Sequence, residues 1–175
     1  ARWRLRDLEL GLKGRFQATN AAIALAALEE LDRLGFPVDR KAVINGLKNA
    51  FWPGRMHILQ SNPTVLVDGA HNPRAMQTLT KTVKEEIDHE RLIVVIGVME
   101  DKDIRNILKQ IVPYADHVIY TRPRYSRAAN PEVLFEYGKT LHRSGSTIGK
   151  LEEAIDKAKA MARPMDLVVI CGSLF

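Results

Sequence analysis

Apolar residues recur at helical spacing from Phe16 to Leu34 in LKGRFQATNAAIALAALEELDRLG, and Gly35 followed by Pro37 ends the run. The pattern predicts one amphipathic helix. Asp39 is placed to cap a second helix running through Asn49, with Ala42, Val43, Leu47 and Ala50 toward one side. FWPGR at 51–55 then breaks the helical period, because proline and glycine together favour a turn or an extended crossing.

Beyond that break the period changes. TVLVD (64–68), LIVVIG (92–97), HVIYT (117–121) and LVVIC (167–171) are near-continuous apolar runs of strand length, as expected of strands covered on both faces. Helical patterns occupy 73–87, 103–112, 131–142 and 151–162, with Pro131 suited to a first turn. This alternation predicts an α/β domain with a mostly parallel, doubly wound, Rossmann-like sheet. MHILQ (56–60), joined to TVLVD by SNP, reads as a hairpin and hence as an antiparallel edge. A boundary near 50–54 is therefore expected. Residues 1–50 would be the helical end of a preceding domain and 51–175 an α/β domain.

Composition narrows the class. At 175 residues, 46% hydrophobic and 27% charged, the chain is that of a folded globular protein rather than a disordered or fibrous one. No apolar run approaches the roughly 20 residues of a spanning helix, and ARWRLRDLEL has no signal-peptide core, so a cytoplasmic location is expected. Cys171 is the single cysteine and lies in an apolar run, which makes it a buried thiol with no assigned chemistry. The chain starts at Ala1 and stops just after a strand-like run, which suggests an excised fragment.

The net charge of +5 permits polyanion binding, but basic and acidic residues alternate along most of the chain. RPRYSR (122–127) is the exception: three arginines around a tyrosine suit an anionic ligand, or a solvated surface.

In open α/β sheets, ligands gather at the carboxyl ends of the strands. There the sequence places DGAHNP (68–73), with a carboxylate at Asp68, a turn at Gly69, polar groups at His71 and Asn72, and Pro73 opening a helix. A capped structural loop is the alternative. GVMEDKD (97–103) and CGSLF (171–175), with Ser173, occupy two further strand ends where a ligand could be met; the first is otherwise a helix entry with solvated charges, and the second reads more readily as a mere turn. Arg55 follows a proline and a glycine that would aim it at an anion, or it is a surface arginine at a junction. Gln17 and Asn20 lie three apart on one helix face and suit a planar heterocycle, unless both are ordinary exposed amides. No G-x-x-x-x-G-K-[ST], no G-x-G-x-x-G after a strand and no His/Cys set of metal-ligand spacing occurs in the chain.

GRFQATNAAIALAAL, WPGRM, VLVDGAHNPRAM, GVMEDKD and CGSLF stand in the order and spacing of the folylpolyglutamate/dihydrofolate synthases, relatives of the Mur ligases, and the chain resembles that family over nearly its whole length. One departure is Phe16-Gln17, where the family often has His-Gln.

The resemblance implies ATP-driven ligation, in which a folate carboxylate becomes an acyl phosphate and the amino group of L-glutamate displaces phosphate, with Mg²⁺ neutralising the phosphates. It implies that ATP lies against an amino-terminal P-loop domain of the same polypeptide. That domain, the metal ligands and most folate or dihydropteroate contacts would fall outside this chain. Asn20 would contact the adenine, Arg55 the phosphates and Asp68 the nucleotide. His71 and Ser173 would help to position glutamate, and no catalytic or metal-ligating residue is assigned. The fragment alone is expected to be inactive and monomeric, without nucleic-acid or membrane partners. A Mur-type ligase of cell-wall peptide precursors and a stand-alone nucleotide- or polyanion-binding module are the competing readings. The glycine of DGAHNP argues against the first, and only the +5 charge and RPRYSR support the second.

Overall fold

The computed structural model describes residues 3–141 and 144–173. The chain divides into two compact units, 1–55 and 56–175.

The first unit holds α1 (Phe16–Arg33) and α2 (Arg40–Asn49). Asp39 caps α2 by accepting the amide hydrogen of Lys41 at 2.9 Å. The amino-terminal segment is pinned to both helices. Trp3 is buried and its amide donates to Glu29, while the amide of Gly11 donates to the Leu47 carbonyl at 2.9 Å. Val43, Leu47 and Ala50 are half-buried as expected, but Ala42 is exposed.

The second unit alternates β1 (His57–Ser61), β2 (Thr64–Asp68), α3 (Pro73–Glu86), β3 (Leu92–Gly97), α4 (Ile104–Ile111), β4 (His117–Arg122), α5 (Pro131–Gly138), β5 (Gly145–Lys150), α6 (Leu151–Met161) and β6 (Leu167–Gly172). The six strands form one sheet in the order β1-β2-β6-β3-β4-β5. Every neighbouring pair is parallel except β1–β2, the hairpin. The mostly parallel doubly wound sheet with an antiparallel edge is thus as expected.

Two elements differ from the sequence reading. β5 is a strand that GSTIGK does not announce, since its residues are only half-buried or exposed and include two glycines. The helix expected over 131–142 stops at Gly138, where a Cβ would overlap the Tyr120 hydroxyl; residue 142 lies outside the described residues. Close approach of α5 to β4 requires glycine there.

The central strands β3 and β6 are buried along their whole length, which accounts for their unbroken apolar character. On one face, Val65, Ile93, Val95, Ile119, Val168 and Ile170 pack with Ala154 and Ala158 of α6. Met76, Leu79 and Val83 of α3, Ile107, Leu108 and Ile111 of α4, and Leu134 of α5 are buried as well. At the amino ends of β3 and β6, Arg91 bonds the fully buried Asp166 carboxylate through Nε at 3.1 Å and Nη2 at 2.5 Å. It also donates to the Met161 carbonyl. No helix among the described residues is long and apolar enough to cross a membrane.

Candidate functional site

The candidate site lies along the carboxyl edge of the sheet. β2, β6 and β3 lie side by side, with Asp68 opposite Cys171 and Gly172 opposite Gly97. Three loops therefore leave the sheet together: 69–72, 172–173 and 98–103. Gly172 has φ +113°, and a Cβ on it would overlap the Gly97 carbonyl oxygen, so only glycine lets the two backbones meet. That contact allows the Ser173 amide to donate to the Gly97 carbonyl at 2.9 Å, and Ser173 Oγ to accept from the Met99 amide at 3.3 Å. Ser173 is 6% exposed. Its oxygen latches the β3 loop. The last two residues of CGSLF lie outside the described residues.

Asp68 ends β2, and its Oδ2 accepts the amide hydrogen of Met56 at 2.9 Å. Met56 is buried and sits at φ +46°, a conformation that a side chain other than glycine's adopts only under constraint. The carboxylate also acts on its neighbour: burial first, and the Asp68 charge second, push the Cys171 thiol far up, so it stays protonated and inert.

His71 is exposed, and its Nδ1 lies 2.8 Å from the Gly69 carbonyl. A carbonyl only accepts, so Nδ1 carries the hydrogen, and in the neutral ring Nε2 is left as an acceptor. Asn72 is committed to capping α3, accepting from the Ala75 amide at 2.9 Å, with Pro73 in the first turn.

The charges of GVMEDKD serve the fold. Asp101 pairs with Lys102 at 2.8 Å and Arg127 at 3.7 Å, which holds its carboxyl below the usual range, mainly through the Lys102 bond. Asp103 caps α4 at the Asn106 amide. The 98–103 loop is further tied to 127–129 by the Met99–Ala128 bridge and by Ala129 N–H to the Val98 carbonyl, 2.9 Å. RPRYSR borders a cleft of about 290 Å³ lined by Arg122, Arg124, Tyr125 and Lys150. Arg124 is already paired with Glu152 and Lys150 with Glu153.

In the first unit, the two amides foreseen on α1 do meet, for Asn20 Nδ2 donates to Gln17 Oε1 at 2.8 Å. Gln17 is not an exposed amide, however: it is 3% exposed, and its Nε2 has no partner among the described residues. The pair borders a pocket of about 130 Å³ whose other walls are Leu10, Leu12, Ala21, Leu47 and Ala50. The pocket is apolar apart from the two amides at its edge. Arg55 is exposed, in a turn closed by its own amide to the Trp52 carbonyl at 3.2 Å, with Gly54 at φ +72° before it. Among the described residues no group of three or more His, Cys, Asp or Glu side chains converges.

This arrangement can be set beside known proteins. The Mur ligase glutamate ligase domain matches residues 54–174, and the chain belongs to that family. Within it, the chain is 36% identical over 170 residues to a probable bifunctional folylpolyglutamate synthase/dihydropteroate synthase of Haloferax volcanii, covering 97% of this chain and 20% of that protein. Escherichia coli FolC in complex with DHPP and ADP superposes with a TM-score of 0.85 at 34% identity, over 97% of this chain and 38% of the other. A bifunctional folylpolyglutamate synthase/dihydrofolate synthase with Mn, AMPPNP and L-glutamate bound gives 0.84 at 28% identity, over 99% and 40%. The chain thus spans between a fifth and two fifths of the length of these relatives.

Proposed function

We propose that the chain is the carboxyl-terminal part of an ATP-dependent ligase that adds L-glutamate to a folate or to dihydropteroate. The observation that carries this reading is the strand-end assembly of Asp68, His71 and Ser173 within a chain that is similar, over nearly all its length, to enzymes crystallised with ADP and with glutamate. In the reaction, the substrate carboxylate attacks the γ-phosphorus of ATP and ADP leaves. The glutamate amine then attacks the acyl carbon of the acyl phosphate, and phosphate departs.

Asn20 would contact the adenine, Arg55 the phosphates and Asp68 the nucleotide. His71 and Ser173 would face glutamate. Mg²⁺ would be held by a P-loop-bearing part of the same polypeptide, and the protein would act as a cytoplasmic monomer. Its partners would be small molecules rather than nucleic acid or membrane.

The test is ADP release by the full-length protein. Release that requires both glutamate and a folate or dihydropteroate is the expected result. Release driven instead by a cell-wall peptide precursor, with no response to folates, overturns the reading in favour of a Mur-type ligase.

A further inference from the structure

We propose that the cleft between the carboxyl ends of β4 and β5 is a separate anion site, formed by Arg122, Arg124 and Lys150 and suited to a phosphate group.

β4 and β5 run parallel to each other and to β3, so the residues that end them stand on the same edge of the sheet as the loops of Asp68 and Ser173, where ligands of open α/β sheets gather. β4 ends on Arg122 and β5 on Lys150, and the two are register partners. Like charges set directly opposite across neighbouring strands destabilise the sheet. Arg124 brings a third cation into the cleft, which has a volume of about 290 Å³ and is also walled by Tyr125, Gly149 and Leu151. A sheet edge selected for stability alone gains nothing from this crowding.

The carboxylates nearby do not cancel it. Glu152 pairs with Arg124 at 2.9 Å and Glu153 with Lys150 at 2.8 Å, and all four side chains are more than half exposed. Exposed pairs of this kind contribute little and give way easily to a better partner. The bond to Glu153 holds the Lys150 ammonium above its ordinary pKa, and Arg124 works against that rise as a like charge. Arg122 is exposed and has neither an ion pair nor a side-chain hydrogen bond among the described residues. Its guanidinium is left without a counter-charge opposite a lysine.

The donor set selects the ligand. Two guanidinium forks and one ammonium match the several oxygens and the nearly double negative charge of a phosphate group, whereas one carboxylate would leave a cation unmet. The cleft is larger than the bare ion. Inorganic phosphate fits it, as does the phosphate of a small organic molecule resting against Tyr125.

The experiment is calorimetric titration of the full-length protein with inorganic phosphate at low ionic strength, in the presence of a saturating non-hydrolysable ATP analogue that fills the nucleotide's own phosphate positions. Binding rather than turnover is read, so the outcome stands apart from the ligase reading. One saturable phosphate site is expected. Arg122→Ser should weaken it by roughly tenfold or more. Lys109→Ser, which removes the same charge from an exposed position on α4, should leave it within about twofold. The ligand-free melting temperature of Arg122→Ser should equal or exceed that of the wild type, because a like-charge contact is relieved. Phenyl phosphate in place of phosphate separates the two sources: tighter binding identifies an organic phosphate seated on Tyr125, and equal binding identifies the free ion.

A wild type with no saturable phosphate site overturns the proposal, a result that requires no variant to fold. Unchanged affinity in Arg122→Ser overturns it as well, and so does an equal loss in Arg122→Ser and Lys109→Ser, which would reduce the effect to the chain's net positive charge. A lower ligand-free melting temperature in Arg122→Ser also counts against it, since the guanidinium would then be serving the fold.

Discussion

Oδ2 of Asp68 accepts the amide hydrogen of Met56 at 2.9 Å, and Met56 is held at φ +46° directly after Arg55 in the chain. One carboxylate therefore secures the start of the hairpin while standing at the strand end proposed to meet nucleotide. Asp68→Ala leaves the Met56 amide of a constrained, buried residue without its acceptor, and a loss of about 1–3 kcal/mol is expected in denaturant unfolding. Asp68→Asn keeps an oxygen for that amide, removes the charge and exchanges the second carboxylate oxygen for an NH₂ group. It should unfold closer to the wild type than Asp68→Ala does and lose roughly tenfold to a hundredfold of ATP-dependent turnover in the full-length enzyme. Wild-type turnover in Asp68→Asn would reduce Asp68 to a structural cap.

Gly172→Ala tests the junction of β3 and β6. A Cβ there meets the Gly97 carbonyl oxygen, and φ +113° is unfavourable for any L side chain. The substitution should cost at least about 1–2 kcal/mol and loosen the Ser173–Met99 latch. Glutamate KM should rise with it. A variant as stable as the wild type would show that the two loops yield easily.

Asp166 and Arg91 set an acid limit on the second unit. The Arg91 bond, aided by the Arg163 amide, holds the buried Asp166 carboxyl below the ordinary aspartate value of 3.8, although burial alone acts in the opposite direction. The folded value is the depressed one, so this contribution is fully present above about 3.8 and is lost as pH falls through the folded value. Melting temperatures measured from neutral pH down to about pH 3 should fall more steeply for the wild type than for Asp166→Asn, which lacks the titrating group. At neutral pH the variant should be less stable, by about 1–3 kcal/mol, because Arg91 and the Arg163 amide lose a buried partner. Parallel acid curves would remove Asp166 from the account.

What the sequence discloses follows burial. β3 and β6 are covered on both faces and show as unbroken apolar runs, whereas β5 lies at the sheet edge, half-exposed, and carries Gly, Ser, Thr and Lys with one isoleucine. A half-covered edge strand has no pattern that distinguishes it from a loop. The site divides the same way. Asp68 and Ser173 are visible because topology alone puts strand ends in one place. The Met56 amide that Asp68 engages lies twelve residues back across a hairpin and depends on a positive φ that no side-chain pattern reports. The burial of Gln17 is not legible from α1 alone, and Leu10, Leu12 and Leu47, which line a pocket with it, lie on other parts of the chain. The arginines of RPRYSR are visible as charge, but their engagement by Glu152 and Asp101 is a tertiary fact.

His71 offers the clearest separation between fold and ligand. Its ring is exposed and, among the described residues, its side chain hydrogen-bonds only to the local Gly69 carbonyl, so truncation removes little that holds the domain together. His71→Ala should leave the melting temperature close to that of the wild type, as surface substitutions usually do within about 0.5 kcal/mol. The loss should appear in binding instead. If Nε2 meets glutamate, the variant of the full-length enzyme should raise the glutamate KM by roughly tenfold or more while the ATP KM moves little, because a lost ground-state contact weakens chiefly its own ligand. Steady-state kinetics with each substrate varied in turn distinguishes the cases. An ATP KM that rises as much as the glutamate KM would move His71 to the nucleotide, and an unchanged glutamate KM would leave it as a loop residue whose ring serves only the Gly69 turn.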